Sequence, residues 1–285
     1  MSSNQGSENT GKILGIDSTG MVTPIINEAK PSIQTLQDVS GSSEVILLDN
    51  TIFTTNNTIQ NLTIAGPNEG VNAVTGTRVE EAIIKGVWSV NATATNLTID
   101  GLSFTGAAKV VYPESVNYNG FLFQNNKVYD TNDSAKAWDE SRYTLPGFIQ
   151  FTLASGGSVK NVYILNNSFV NVSEVNVLAN RAINLSVDGN LFKDFDLDAI
   201  RLEGGYCYGI LSFTNNVFEQ SVAENGSNGI FIYSVAGSSS AQPTEVIIKN
   251  NEFIKLGKNN GSVFTGAISS YRFQENITSF LIEEN

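Results

Sequence analysis

Short runs of alternating apolar and polar residues recur along the chain, and each run ends in a phrase of the form apolar-x-Asn/Gly-Asn-x-apolar. Alternation with a period of two indicates a β-strand with one buried face. The Asn and Gly residues that follow can adopt the left-handed or bridge conformations that a sharp corner requires. The clear copies are 123–128, 164–169, 187–192, 213–218 and 248–253, with looser copies at 64–67 and 99–104 and an unfinished one at 282–285.

The copies begin at intervals of between 23 and 41 residues. The short intervals suit one turn of a parallel β-solenoid, and the long ones suit one turn plus a loop. A repeat of this kind determines the architecture, because each unit buries its apolar face only against its neighbours. We therefore predict an all-β solenoid over residues 31–285, in which the coil begins at about 45–49.

Two columns of stacked side chains follow from this arrangement, because equivalent residues of successive coils lie about 4.8 Å apart. Asn side chains at the corner are expected to bond amide to amide along the stack. An aromatic column is expected inside the coil. The Asn column comprises Asn126, Asn167, Asn190, Asn216, Asn251 and Asn285, and the aromatic column comprises Phe104, Phe169, Phe192, Phe218 and Phe253.

Several phrases carry a resemblance to a known fold family. Residues 58–70, 78–86 and 97–104 look like the opening turns of right-handed parallel β-helix proteins of the pectate-lyase-like superfamily. The resemblance covers roughly residues 45–285. It implies a single-stranded, right-handed parallel β-helix, and it says little about activity because the fold serves enzymes, virion proteins and surface proteins alike.

The first thirty residues differ in character from the coil. Residues 1–11 are small and polar, which is typical of flexible segments. Two short strands are predicted on either side of the Asp-Ser-Thr-Gly turn at 17–20. This segment resembles the N-terminal peptides that attach phage fibre and appendage proteins to the particle. The resemblance implies that 1–30 is an attachment segment, and the alternative is an ordinary hairpin at a domain edge. The expected contact residues are Lys12, Ile13, Leu14, Ile16, Met21 and Val22.

The two ends of the solenoid need cover, because an open β edge invites aggregation. Residues 32–39 show helical spacing of apolar side chains and predict a short capping helix over the first turn. The unfinished phrase at 282–285 has no visible cap. A partner subunit, a further domain or self-association would supply one, and we expect a homo-oligomer, either a trimer or a dimer.

Composition narrows the range of partners. The net charge of −12 disfavours nucleic acid and anionic membranes as ligands. No apolar run approaches 18 residues, and the N-terminus has no secretory signal pattern, so membrane insertion is not expected. A virion protein released by lysis fits these observations, and a bacterial cell-surface protein with a trimmed signal is the alternative location.

The chain contains no His, which excludes His-dependent triads, His-ligated zinc and the Gly-His-Gly signature of the pectin-hydrolase branch. The single Cys207 is expected to be a small buried residue. The best remaining candidates for chemistry are Asp194, Asp196 and Asp198. If their segment is a strand, these carboxylates share one face, where they could act in catalysis with Arg201, bind Ca²⁺, or form a solvated surface.

The longest interruption of the repeat, at 129–160, is a natural place for binding, because loops on a rigid scaffold often carry function. Within it, Trp138 and Tyr143 could stack on a sugar or pack against protein. The leading hypothesis is a non-enzymatic phage virion fibre or decoration protein that binds virion proteins and a host-surface glycan, with no required cofactor. The alternatives are a carboxylate-based polysaccharide depolymerase, either lyase or hydrolase, and a bacterial adhesin.

Overall fold

A computed structural model describes residues 14–16, 22–24, 45–48, 51–54, 56–59, 63–92, 94–112, 116–131, 147–151, 157–203, 206–222, 228–236, 243–256, 266–273 and 276–285. Within these ranges the structure is all-β, with parallel strands that wind through three sheets. No helix occurs in the described ranges, so none there could span a membrane. The predicted capping helix at 32–39 lies outside them.

Each coil contributes one strand to each sheet in turn. The first sheet contains β3 (Val45–Leu47), β6 (Thr63–Ala65), β9 (Thr95–Asp100), β12 (Asn117–Gln124), β15 (Ser158–Leu165), β18 (Ala182–Asp188), β21 (Tyr208–Thr214), β24 (Thr244–Lys249) and β27 (Ile277–Glu283). The second sheet contains β4 (Ile52–Phe53), β7 (Ile83–Ile84), β10 (Ser103–Gly106), β13 (Lys127–Thr131), β16 (Ser168–Val170), β19 (Leu191–Lys193), β22 (Val217–Glu219) and β25 (Glu252–Ile254). The third sheet contains β5 (Asn57–Ile59), β8 (Val87–Val90), β11 (Lys109–Val111), β14 (Gly147–Phe151), β17 (Val175–Ala179), β20 (Ile200–Leu202), β23 (Ile230–Val235) and β26 (Ile268–Phe273). The predicted parallel β-helix is thereby confirmed.

A separate antiparallel hairpin precedes the coil. It consists of β1 (Leu14–Ile16) and β2 (Val22–Pro24), in which Leu14 pairs with Pro24 and Ile16 pairs with Val22. The two strands predicted around the 17–20 turn are therefore present. Lys12, Ile13 and Met21, which were also predicted to take part in attachment, lie outside the described residues.

The corner between the first and second sheets is built from two residues with different tasks. The first residue has a positive φ, as at Asn166 (57°), Gly189 (66°) and Asn215 (54°). The left-handed region is costly for most residues but accessible to Gly and Asn. The second residue is the Asn of the predicted column, and its side chain is buried, as at Asn190 and Asn216.

The buried Asn side chains form a continuous ladder. The Asn190 Nδ2 group donates to Asn216 Oδ1 at 3.0 Å and to the Ile164 carbonyl at 2.8 Å. The Asn216 Oδ1 atom also accepts the backbone N–H of Asn190 at 3.0 Å. The same pattern joins Asn126, Asn167, Asn190, Asn216, Asn251 and Asn285 in order. The predicted Asn column is confirmed, and each amide is used as both donor and acceptor.

An aromatic column lies beside the ladder inside the coil. The rings of Phe169, Phe192, Phe218 and Phe253 stack at centroid separations of 4.9, 5.1 and 4.9 Å. Phe104 belongs to the same column, but Val128 pairs between it and Phe169. The rest of the core is continuous along the coil and combines aliphatic side chains with further buried aromatic ones, such as Trp88 and Phe121. Together the ladder and the column hold equivalent residues of successive coils in register.

We predict that Asn216→Ala lowers the free energy of unfolding by at least about 3 kcal/mol. The change leaves several buried partners unbonded, including the Val187 carbonyl and the Asn190 N–H group. Equilibrium denaturation measures the loss. Asn117→Ala, at an exposed position on β12, is the control, and its effect should stay within about 0.5 kcal/mol. Equal losses for the two variants would contradict the structural role of the ladder.

We also predict that Asn215→Ala is less stable than Asn215→Gly by about 1 kcal/mol. Both changes remove the amide that donates to Asp188, so they differ only in their tolerance of the positive φ at this corner. The comparison uses midpoints of thermal unfolding. Indistinguishable midpoints would show that backbone conformation at the corner contributes little.

Candidate functional site

The segments that connect successive strands differ in length, and the long ones lie on either side of the third sheet. From β9 onward, the first and second sheets are joined by only two residues, at 101–102, 125–126, 166–167, 189–190, 215–216 and 250–251. Connections into and out of the third sheet vary widely, and they include 132–146, 152–157, 220–229, 236–243 and 255–267. Insertions on a rigid scaffold are where binding is concentrated. The outer face of the third sheet is therefore the candidate functional surface.

Strand register defines the side chains on this face. Ile200 pairs with Ile230, and both are buried in the coil interior. Because side chains alternate along a strand, the neighbouring residues point outward. The resulting outer column runs Thr58, Ser89, Val111, Gln150, Leu178, Arg201, Phe231 and Ser269. Leu178, Arg201 and Phe231 are each less than a tenth exposed although they lie on the outer face.

Arg201 is the centre of a charged cluster. Its Nη1 donates to Asp198 Oδ2 at 2.8 Å, and its Nε donates to Glu203 Oε2 at 3.2 Å. Although burial disfavours the charged guanidinium, Asp198 and Glu203 raise the pKa of Arg201 above its ordinary value. Asp198 also accepts hydrogen bonds from the backbone and side chain of Asn228 at 3.1 and 2.8 Å. The guanidinium therefore remains cationic and holds both carboxylates.

Aromatic rings adjoin this cluster. The guanidinium of Arg201 lies over the Phe231 ring, 4.6 Å from its centroid. Two residues after Phe231, the Tyr233 ring stacks on Tyr271 of the next coil, with ring centroids 5.0 Å apart. Tyr271 is 46% exposed. The outer face thus presents a stacked pair of Tyr rings, one of them about half exposed, beside a charged cluster, a combination suited to a ligand with both apolar faces and hydroxyl groups.

The acidic segment predicted from the sequence is arranged differently. β19 ends at Lys193 and β20 begins at Ile200, so Asp194, Asp196 and Asp198 lie on a corner and not on one face of a strand. Asp194 has a φ of 52° and accepts hydrogen bonds from the N–H and hydroxyl of Ser221 at 2.6 and 2.8 Å. Asp196 is exposed. The corner separates Asp194, which binds Ser221, from Asp198, which binds Arg201.

Four charged residues were predicted as candidates for chemistry: Asp194, Asp196, Asp198 and Arg201. Of these, the structure pairs Asp198 with Arg201. Trp138 and Tyr143 lie outside the described residues. Sequence reasoning missed Glu203, Tyr233 and Tyr271. The run Ile230-Phe231-Ile232-Tyr233 reads as uniformly apolar, and only its register with β20 shows which side chains face outward. Among the described residues, no group of three or more Cys, Asp or Glu side chains is arranged to hold a metal ion.

A concave surface lies on the outer face of the first sheet. Asn96, Gly120 and Asn161 occupy equivalent positions of successive strands there, and each has a positive φ. A depression of roughly 270 Å³ is lined by these residues and by Asn119 and Tyr163, among others. Tyr163 is 45% exposed. The first sheet therefore offers an aromatic side chain whose exposure matches that of Tyr271.

Two other polar features are structural. Arg78 forms a bidentate ion pair with Glu81, at 2.7 and 2.8 Å, and donates to the Asn125 carbonyl at 2.6 Å. This contact ties the long 66–82 connection to a neighbouring corner. Cys207 is fully buried, and burial raises the pKa of its thiol to about 12. A thiol in this state is not a nucleophile at neutral pH, which agrees with the structural role predicted for it.

No protein family, curated protein or solved structure matches the chain. Its function therefore has to be argued from the site itself.

We predict that Arg201→Met lowers the free energy of unfolding by about 3–5 kcal/mol, because it leaves the buried Asp198 carboxylate without its cation. The double variant Arg201→Met/Asp198→Asn should recover part of the loss. Lys193→Met is the matched control, since it breaks a more exposed pair with Glu219 and should cost at most about 1 kcal/mol. Equal losses of unfolding free energy for the two single variants would refute the claim that Arg201 stabilises the buried Asp198 carboxylate.

Proposed function

We propose that the protein is a non-enzymatic β-helix that binds an extended saccharide across the outer face of its third sheet. The observation that carries this proposal is the pairing of Arg201 with both Asp198 and Glu203 beside the stacked Tyr233 and Tyr271 rings. The aromatic surface suits the apolar face of a sugar ring. The Glu203 carboxylate, whose side chain is more exposed than that of Asp198, offers hydrogen-bond acceptors to its hydroxyl groups.

The pairing also favours binding over cleavage. A glycoside hydrolase needs one carboxylic acid to donate a proton and one carboxylate to act as nucleophile or base. At this site both carboxylates instead accept hydrogen bonds from one guanidinium, so neither stands apart as a separate acid or base. A lyase would need an unpaired base facing the substrate. The Arg201 guanidinium, with its raised pKa, is already committed to two anions.

We propose the wider biological assignment as a whole. The coil is right-handed, because crossover connections between parallel strands have that hand in about 98% of cases. The hairpin of β1 and β2 is the attachment element, and it resembles those of phage fibre and appendage proteins. The protein is accordingly a fibre or decoration protein of a virion that assembles as a homo-oligomer and contacts other virion proteins and a host-surface glycan.

We predict that the full-length protein binds one or more host-surface polysaccharides and that Tyr271→Ala weakens this binding at least about tenfold, because it removes one ring of the stacking surface. Binding to immobilised polysaccharides gives the dissociation constants. Tyr163→Ala is the matched control, since Tyr163 has nearly the same exposure on another sheet. Its dissociation constant should be unchanged.

The same polysaccharides should survive prolonged incubation with the protein. Release of reducing ends or unsaturated products would support the depolymerase alternative and overturn the non-enzymatic assignment. Loss of binding in Tyr163→Ala with none in Tyr271→Ala would place the ligand on the first sheet. Absence of binding to every polysaccharide would refute the saccharide proposal.

A further inference from the structure

Glu174 is a buried carboxylate at the corner between β16 and β17. The residue is 1% exposed. Its Oε2 atom accepts hydrogen bonds from the hydroxyl groups of Thr131 and Ser173, both at 2.8 Å. Its Oε1 atom is buried and has no hydrogen-bond partner. One oxygen of the carboxylate is therefore fully used, and the other is not.

Asn176, two residues further on, presents a second buried acceptor. Asn176 is fully buried, and its Nδ2 group donates to the Glu174 carbonyl at 3.1 Å. Because a carbonyl can only accept, this bond fixes which end of the amide is nitrogen. The Asn176 Oδ1 atom has no hydrogen-bond partner. Two oxygen acceptors thus remain unsatisfied within one short segment, and both belong to side chains that are more than nine-tenths buried.

The charge of Glu174 has no counterpart among the described residues. Asp198, in the next coil, is also buried, but it pairs with Arg201 at 2.8 Å. Glu81 is likewise paired, with Arg78. No Lys or Arg of the described residues forms an ion pair with Glu174. Buried carboxylates are normally paired with a cation or coordinate a metal ion, which leaves Glu174 in need of a positive partner.

We propose that Glu174 Oε1 and Asn176 Oδ1 bind a Ca²⁺ ion. The unsatisfied atoms are a carboxylate oxygen and an amide oxygen, and both are ligand types that Ca²⁺ prefers. The Thr131 and Ser173 hydroxyl groups direct their protons to Oε2 and leave Oε1 to the metal. Ca²⁺ accepts irregular coordination completed by backbone oxygens and water, whereas Mg²⁺ demands near-ideal octahedral geometry. The site is independent of the saccharide-binding proposal.

The ion has a structural task. Thr131 is the last residue of β13, immediately before the 132–146 connection, and Glu174 precedes the first residue of β17. A cation at Glu174 therefore stabilises the corner at which the 132–146 connection leaves the coil.

Thermal unfolding of the full chain tests the proposal. After removal of metal with chelator, 1 mM CaCl₂ should raise the melting temperature by about 5 °C or more, because a ligand that binds only the folded state stabilises it. Glu174→Gln should still fold, since its amide oxygen can accept the hydrogen bonds from Thr131 and Ser173, but it should lose the response to Ca²⁺. Glu245→Gln, at an exposed position on β24, is the control and should respond as the wild type does.

Isothermal titration provides a second readout. The wild type and Glu245→Gln should bind Ca²⁺, and Glu174→Gln should bind at least about tenfold more weakly at this site. Parallel titrations with MgCl₂ and NaCl at matched ionic strength should give smaller responses. A melting temperature of the wild type that is the same in Ca²⁺ and in chelator would overturn the proposal. An undiminished Ca²⁺ response in Glu174→Gln would overturn it equally.

Discussion

The amide of Asn190 forms hydrogen bonds in both directions along the coil, and the rest of the structure depends on this pattern. A buried amide that lost its partners would cost about 1–3 kcal/mol for each unmade bond. The ladder avoids that cost only if every coil places an Asn at the same corner, with the same backbone conformation before it. This requirement explains why the preceding residue is Asn or Gly at 125, 166, 189, 215 and 250. It also keeps the Phe169, Phe192 and Phe218 rings in register.

The same constraint determines where the molecule can vary. The corner between the first and second sheets cannot accept insertions without breaking the ladder, except near the start of the coil at 66–82. From β9 onward, long connections therefore occur only on either side of the third sheet. On that face, Arg201 forms ion pairs with the buried Asp198 and the partly buried Glu203, and it packs on Phe231. Recognition surfaces commonly combine a rigid scaffold, here the third sheet, with connections of varying length at its edges.

Much of the fold could be predicted from the sequence, because the signals that specify it are local and repeated. The strand–corner phrase, the Asn ladder, the Phe column and the hairpin at 14–24 all follow from short patterns. The candidate site could be predicted only in part. Asp198 and Arg201 were identified, but the strand assumed for Asp194–Asp198 is a corner. Glu203, Tyr233 and Tyr271 meet only through the pairing of β20, β23 and β26, and sequence spacing does not show that register. Glu174 was missed because nothing in its local sequence shows that it is buried without a cation.

Cys207 has a use that goes beyond packing. It is the only cysteine of the chain, it lies inside the coil, and its thiol is un-ionised at neutral pH. A thiol reagent can reach it only when the coil opens around it. In a solenoid, opening can spread from either end, and local openings have their own free energies. The labelling rate of Cys207 therefore reports how often the coil opens at this one known position, and no engineered probe is needed.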